Sequence, residues 1–253
     1  MRILLLGGTT EASGLARLLA ANPALRPVLS LAGRTAAPAA APIETRIGGF
    51  GGPEGLAAWL RAEGVAAVVD ATHPFAQVIS RNAAAACAVL GLPLLALRRP
   101  PWTAREGDRW QEVDTVAAAA RALGEVRRRV FLTVGRLELA AFAAAAHHAY
   151  VVRTIEPVGD ALPLPDLTVI EARGPFPEEA ERDLMRRHRT EVLVTKNSGG
   201  SATYGKIAAA RALGLPVVIV RQPDAPAAAR VERPEDALAW LMAHRAASTR
   251  RLV

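Results

Sequence analysis

Short apolar runs alternate along this chain with longer segments in which apolar residues recur at helical spacing. Arg2–Leu6 is the first run, and its near-unbroken apolarity suits a strand buried on both faces of a parallel sheet. Glu11–Ala21 reads as a helix, Val28–Ala32 as a strand, Pro53–Glu63 as a helix and Val65–Asp70 as a strand. A long helix, Phe75–Leu90, and a strand, Leu92–Leu97, precede the break at Pro100-Pro101. The rhythm returns with helix Thr115–Leu123, strand Val130–Val134, helix Leu137–Ala146 and strands Tyr150–Ile155 and Leu167–Ala172. Helix Pro177–Arg189, strand Val192–Thr195, helix Thr203–Leu213, strand Val217–Val220 and helix Pro234–Arg245 complete it. Strands alternating with such helices predict βαβ units and parallel sheets. Nine strands exceed one ordinary open sheet, so the pattern predicts an α/β fold of two doubly wound lobes. The breaker-rich stretch Arg98–Asp108 holds the boundary, giving lobes 1–105 and 106–253. A (β/α)₈ barrel is the alternative the length also suits. Apart from alanine runs, no internal repeat is visible.

Composition narrows the function classes. With 253 residues, 51% of them hydrophobic, the chain can bury a sizeable core, which excludes a disordered tail. One cysteine, Cys87, excludes a disulfide framework and any CxxC zinc site. Set in AAAACAVL it reads as a small buried hydrophobe, and no metal is expected. Gly7-Gly8 breaks the first apolar run too early for a signal peptide, and no stretch approaches the roughly 18 apolar residues of a membrane span. A soluble, cytoplasmic protein without a membrane partner is expected. Lys and Arg outnumber Asp and Glu by 31 to 24, for a net charge of +7. The basic residues are scattered, and 4% aromatics cannot interleave them with stacking platforms, so a small polyanion is expected rather than nucleic acid. Only Lys196 and Lys206 are lysines, which is either chance or a need that a guanidinium does not meet.

Ligands of open α/β sheets bind at the carboxyl ends of strands. After the first strand, Gly7-Gly8-Thr9-Thr10-Glu11 opens a helix, where backbone N–H groups can approach a phosphate. The pattern falls short of G-x-G-x-x-G, and a capped strand-to-helix turn is the plainer alternative. The next strand ends Ser30-Leu31-Ala32-Gly33-Arg34 without the acid that would bind NAD's ribose, so Arg34 favours the 2′-phosphate of NADP. Gly48 and Gly49 can let backbone run close to a nucleotide. Asp70-Ala71-Thr72-His73-Pro74 leads into the longest helix, making Thr72 and His73 candidates to face the cofactor and His73 a conceivable proton donor. Lys196-Asn197-Ser198-Gly199-Gly200, with Lys206 beyond, gathers groups that hold anions, and Thr133-Val134-Gly135-Arg136 is a matching turn in the same lobe. Two capped helices with solvated bases are the alternative there.

Together LLLGGTTEA at 4–12, DATHPFA at 70–76, LRRPPW at 97–102, TVGRLELAAF at 133–142 and VTKNSGG at 194–200 resemble the precorrin-6A reductase family of cobalamin (vitamin B12) biosynthesis. The resemblance implies two Rossmann-like lobes with a cleft between them that takes NADPH and a tetrapyrrole. It implies reduction of a macrocycle double bond of precorrin-6A to give precorrin-6B, with hydride from the nicotinamide and a proton from elsewhere. A sister branch acts on cobalt-precorrin-6A, and the motifs do not separate the two. A different NADP-dependent reductase of a polycarboxylate and a non-catalytic two-lobed binding protein stay open. On this reading Gly7, Gly8, Thr9, Thr10, Glu11, Arg34, Gly48, Gly49, Thr72 and His73 serve the cofactor. Arg98, Trp102, Gly135, Arg136, Arg153, Lys196, Asn197, Ser198, Gly199, Gly200 and Lys206 serve the substrate, with His73 and Lys196 the candidate proton donors. The chain is expected as a monomer or small homo-oligomer.

Overall fold

The computed structural model of the chain describes residues 1–33, 40–159, 164–226 and 228–250, the last four of these by backbone alone. Its elements begin β1 (Arg2–Leu6), α1 (Thr10–Ala20), β2 (Arg26–Leu31), β3 (Glu44–Ile47), α2 (Gly52–Ala62), β4 (Ala67–Asp70), α3 (Gln77–Leu90) and β5 (Leu94–Leu97). They continue with β6 (Arg109–Val113), α4 (Val116–Ala122), β7 (Arg129–Thr133), a 3₁₀ stretch (Arg136–Ala145), β8 (Ala149–Thr154), β9 (Leu167–Glu171) and α5 (Glu178–Arg187). The last are β10 (Val192–Lys196), α6 (Gly205–Ala212), β11 (Pro216–Val220), β12 (Ala229–Val231) and α7 (Pro234–Arg250).

The chain forms two compact units, Met1–Pro100 with Asp224–Val253, and Pro101–Pro223. Each holds a six-stranded parallel sheet. The first runs β12-β5-β4-β1-β2-β3 and the second β6-β11-β10-β7-β8-β9. Five strands of each follow the doubly wound order, and the sixth departs from chain order. β6 follows β5 in sequence but pairs with β11, whereas β12 follows β11 but pairs with β5. The expected division at 105/106 is therefore corrected: the break falls at 100/101, and the chain's end returns to the first unit. Backbone bonding fixes that return, since the Arg98 N–H donates to the Val231 carbonyl at 2.9 Å. Packing reinforces it, because Ala237 and Leu241 of α7 are buried with Leu15 and Leu19 of α1. Each such leucine withdrawn from water contributes about 2 kcal/mol.

Register makes the two units comparable position by position. Leu6 of β1 lies opposite Ser30 and Asp70. Thr133 of β7 lies opposite Thr195, and Leu132 opposite Val152. Thr133 thus stands where Leu6 stands, and two residues further on each unit carries a glycine in the left-handed region, Gly8 (φ +123°) and Gly135 (φ +102°). The repeat invisible in sequence is plain in structure.

Two expectations need revision. Leu137–Ala146 is not an α-helix; its buried residues Leu139, Phe142 and Ala145 recur every third position, the period of the 3₁₀ form it adopts. Three strands, β3, β6 and β12, were not expected, and each lies at a sheet edge. Cys87 is buried as expected, and burial pushes its thiol up to about 11.

Candidate active site

In the first unit the strand order reverses between β1 and β4, where ligands of doubly wound sheets settle. Gly7 lets the chain leave β1 hard against β2: its N–H donates to the Ser30 carbonyl at 3.0 Å, and a Cβ there would lie 2.4 Å from Leu29 Cδ1. Gly8 needs its positive φ, yet a Cβ on it would meet nothing within 4 Å. Backbone here can therefore approach a ligand from open space. Thr9 caps α1, accepting from the Ala12 N–H at 3.1 Å and donating to the Ala71 carbonyl at 2.8 Å. That second bond ties the glycine turn to the loop after β4. Thr10 begins α1, and Glu11 pairs with Arg99 at 3.1 Å. Thr9, Glu11, Thr72, Pro74 and Arg99 share a small recess.

Arg98 also lines that recess, is 5% exposed, and bonds within the unit. Its guanidinium pairs with Asp70 at 2.6 Å, and donates to the Thr72 carbonyl and to Ser80 Oγ. Thr72 Oγ1 donates to Asp70 Oδ1 at 2.7 Å. Arg98, expected to meet substrate carboxylates, has its guanidinium paired with Asp70 where it stands. Thr72's hydroxyl is likewise bound inward rather than offered to a cofactor. The network instead fixes the loop that carries His73, whose Nδ1 accepts from the Phe75 N–H at 3.3 Å. A neutral ring so held carries its proton on Nε2. Gly48 and Gly49 lie past β3 with open space at their Cβ positions, their carbonyls bonded to Arg46. Arg34 lies outside the described residues.

In the second unit the structure does bring Gly135, Arg136 and Lys196 to the equivalent edge. Lys196 Nζ pairs with Glu138 Oε2 at 2.5 Å, a partner that sequence reasoning missed although Glu138 lies in the quoted TVGRLELAAF segment. Arg136 is exposed and donates to the Pro157 carbonyl at 3.3 Å. Leu137, next to it in the 3₁₀ stretch, and Ile155, just past β8, are exposed.

Several expected substrate contacts are spent internally. Arg153 is buried in an ion pair with Glu181, its guanidinium 3.6 Å above the Phe176 ring. Asn197 clamps the Trp102 backbone from both sides, Oδ1 accepting at 2.8 Å and Nδ2 donating at 2.9 Å. Trp102 Nε1 donates to the Gly200 carbonyl at 2.6 Å, and its ring packs edge-on against Tyr204. Trp102 and the 196–200 loop thus belong together, as a structural anchor. Lys206 is 4% exposed in α6, 5.6 Å from the Trp102 ring. Ser198 and Gly199 are buried, and α6 begins only at Gly205. Backbone of Phe176 closes over that helix start, since a Cβ on Gly205 would lie 2.2 Å from its carbonyl oxygen. The start of α6 is therefore closed by backbone rather than open beside Lys196.

Two doubly wound sheets, with a glycine turn at each switch point and one helix start open to a ligand, define an α/β protein of the dinucleotide-binding class. Known proteins sharpen this. The family model described as Precorrin-6x reductase CbiJ/CobK matches residues 2–242. A precorrin-6A reductase of Sinorhizobium sp is 55% identical over 221 residues, 87% of this chain and 85% of that protein. The solved structure of CobK precorrin-6A reductase matches with a TM-score of 0.91 at 47% identity, covering 96% of this chain and 97% of that one. A cobalt-precorrin-6A reductase of Priestia megaterium is 31% identical over 180 residues, 67% of this chain and 70% of that protein. The chain belongs to the precorrin-6x reductase family, a family of oxidoreductases. No helix among the described residues is long and apolar enough to cross a membrane.

Proposed function

We propose that this chain reduces a double bond of the precorrin-6A macrocycle, giving precorrin-6B in cobalamin biosynthesis, with NADPH held by the first unit. The observation that carries the substrate is the 55% identity to a precorrin-6A reductase against 31% to a cobalt-precorrin-6A reductase. The residues fit the nucleotide: Gly8 stands open at the switch point, directly before the start of α1, where a helix N-terminus favours an anion. A bound NADPH supplies the hydride. The absence of an acid over Ser30–Gly33, with Arg34 next in sequence, supports NADPH over NADH.

The chain's own residues do the rest. Gly7 to Glu11 hold the diphosphate by backbone and helix start, and Gly48 and Gly49 make room for the adenosine end. The buried Asp70–Arg98 network keeps the His73 loop in place. Arg136 and Lys196 meet substrate carboxylates, and exposed Leu137 and Ile155 meet apolar macrocycle. His73, between Thr72 and Pro74 of the recess, is the first candidate proton donor, and Lys196 the second. The test incubates the full chain with precorrin-6A and NADPH while following reduced-nicotinamide absorbance and the tetrapyrrole spectrum. Coupled loss of both substrates is expected. Turnover with cobalt-precorrin-6A alone would move the chain to the sister branch, and spectral change without NADPH consumption would mark a binding protein.

A further inference from the structure

Arg46 lies on the edge strand β3, opposite Ser30 in register. Its Nη1 donates to Ser30 Oγ at 2.8 Å and to the Gly48 carbonyl at 3.0 Å, and Nη2 donates to the Gly49 carbonyl at 3.0 Å. The guanidinium centre sits 3.9 Å over the Phe50 ring, with Trp59 at 5.6 Å. All of these partners are neutral. The contrast with the unit's other inward arginines is sharp: Arg2 pairs with Glu44 and Glu63, Arg98 with Asp70 and Arg99 with Glu11. Burial lowers the Arg46 pKa, as expected of a cation that has lost water and gained no counter-charge.

A rigid, half-buried guanidinium without a carboxylate is costly unless an anion completes it. Its surroundings leave room for one. A Cβ on Gly48 or Gly49 would meet nothing within 4 Å, and Gly33, at the end of β2, lies against Ile47 and Gly48. The end of β2 is where a doubly wound domain meets the 2′ position of adenosine, and here it offers no acid. Three of the five guanidinium N–H groups fix the side chain, so a phosphate would meet donors already oriented.

We infer that Arg46 is a fixed cation reading the 2′-phosphate of the nucleotide in the first unit, an inference that rests on the NADPH reading above. It adds to Arg34, which sequence alone put forward, a residue that sequence reasoning passed over because it lies in an unexpected strand.

The test uses the full chain and measures dissociation constants for NADPH and NADH by nicotinamide fluorescence, with 2′-AMP and 5′-AMP as competing probes. Arg46→Gln is expected to weaken NADPH tenfold or more, to change NADH less than threefold, and to abolish competition by 2′-AMP while sparing 5′-AMP. Arg46→Lys, which keeps charge but not the fork, should recover part of the discrimination. An unchanged NADPH-to-NADH ratio in Arg46→Gln, with Arg34→Ala alone erasing it, would overturn the inference and leave the cofactor reading standing. Equal weakening of both nucleotides, with the melting temperature unchanged, would make Arg46 a loop prop and overturn it too. A wild-type chain that binds NADPH no tighter than NADH would overturn the cofactor reading itself.

Discussion

The two units share a strand order and a left-handed glycine two residues past the first strand, yet the segments after those glycines differ. After Gly8 come Thr9 and a capped α-helix, whose cap hydroxyl accepts from the Ala12 N–H and reaches the Ala71 carbonyl. After Gly135 come Arg136 and an uncapped 3₁₀ stretch, and the position equivalent to Ala71 is Lys196, paired with Glu138. One turn therefore presents backbone donors and the other presents side-chain cations. Backbone donors at a fixed spacing suit a diphosphate, whose shape never varies. Cations on longer stems suit carboxylates dispersed around a larger ligand.

The largest expected difference lies below the sites. Arg98 and Arg221 occupy equivalent positions after β5 and β11, each donating its N–H to the sixth strand, at Val231 and Val113. Arg98 is buried with Asp70, whereas Arg221 is 54% exposed beside Asp114. Arg98→Met leaves a buried carboxylate uncompensated and is expected to cost about 3–5 kcal/mol in denaturant unfolding. Arg221→Met should cost about 0–1 kcal/mol. Adding Asp70→Asn to Arg98→Met should recover part of the loss, and no recovery would mean that the network matters through its hydrogen bonds rather than its charge.

Next in size is the glycine pair. Gly8→Val is expected to weaken NADPH about a hundredfold, roughly 2.7 kcal/mol, because it strains φ and fills the open approach. Gly135→Val carries the same strain but should leave NADPH binding within about twofold. Circular dichroism controls for folding in both, and the reverse result would exchange the roles of the units.

Burial decided how much of this architecture was legible in the sequence. β1, β4, β5, β7, β10 and β11 lie within the sheets, and their continuous apolar runs were legible. β3, β6 and β12 are edges, and strings such as ETRI and RWQEV carry polar residues that resemble loops. The glycine turns were legible because only glycine takes their φ. The side-chain roles were less so. Nothing in the order of residues tells whether an arginine in or after a strand has an internal carboxylate partner, and Arg98 and Arg153 each pair with one. Strand exchange was hidden for a related reason, since edge strands of similar polarity can complete either sheet.

Lys196 sharpens the contrast between the two turns. Lys196→Ala should weaken precorrin-6A about tenfold to thirtyfold, as the loss of one charge-assisted contact does, while leaving NADPH untouched. Glu138→Gln should act in the opposite sense, because the carboxylate that now occupies the ammonium no longer competes with the substrate. Lys196→Arg separates charge from proton delivery: restored turnover marks a clamp, and restored affinity without turnover marks a proton donor.

The smallest effect divides the units by pH. His148, in the second unit, is fully buried, accepts at Nδ1 from the Arg128 N–H, and has its pKa lowered by burial and then by His147. In the first unit His73 and His244 are only partly buried. A histidine kept neutral in the fold protonates on unfolding near its ordinary pKa of about 6.5. Its contribution is therefore complete above that pH and is lost as pH falls below it, by at most about 1.4 kcal/mol per pH unit for one proton. Urea unfolding of the full chain from pH 7.5 down to 5.5 should show this slope in a probe of the second unit such as Trp110 fluorescence, and His148→Gln should flatten it. A slope that survives His148→Gln would assign the titration to another group and remove this difference between the units.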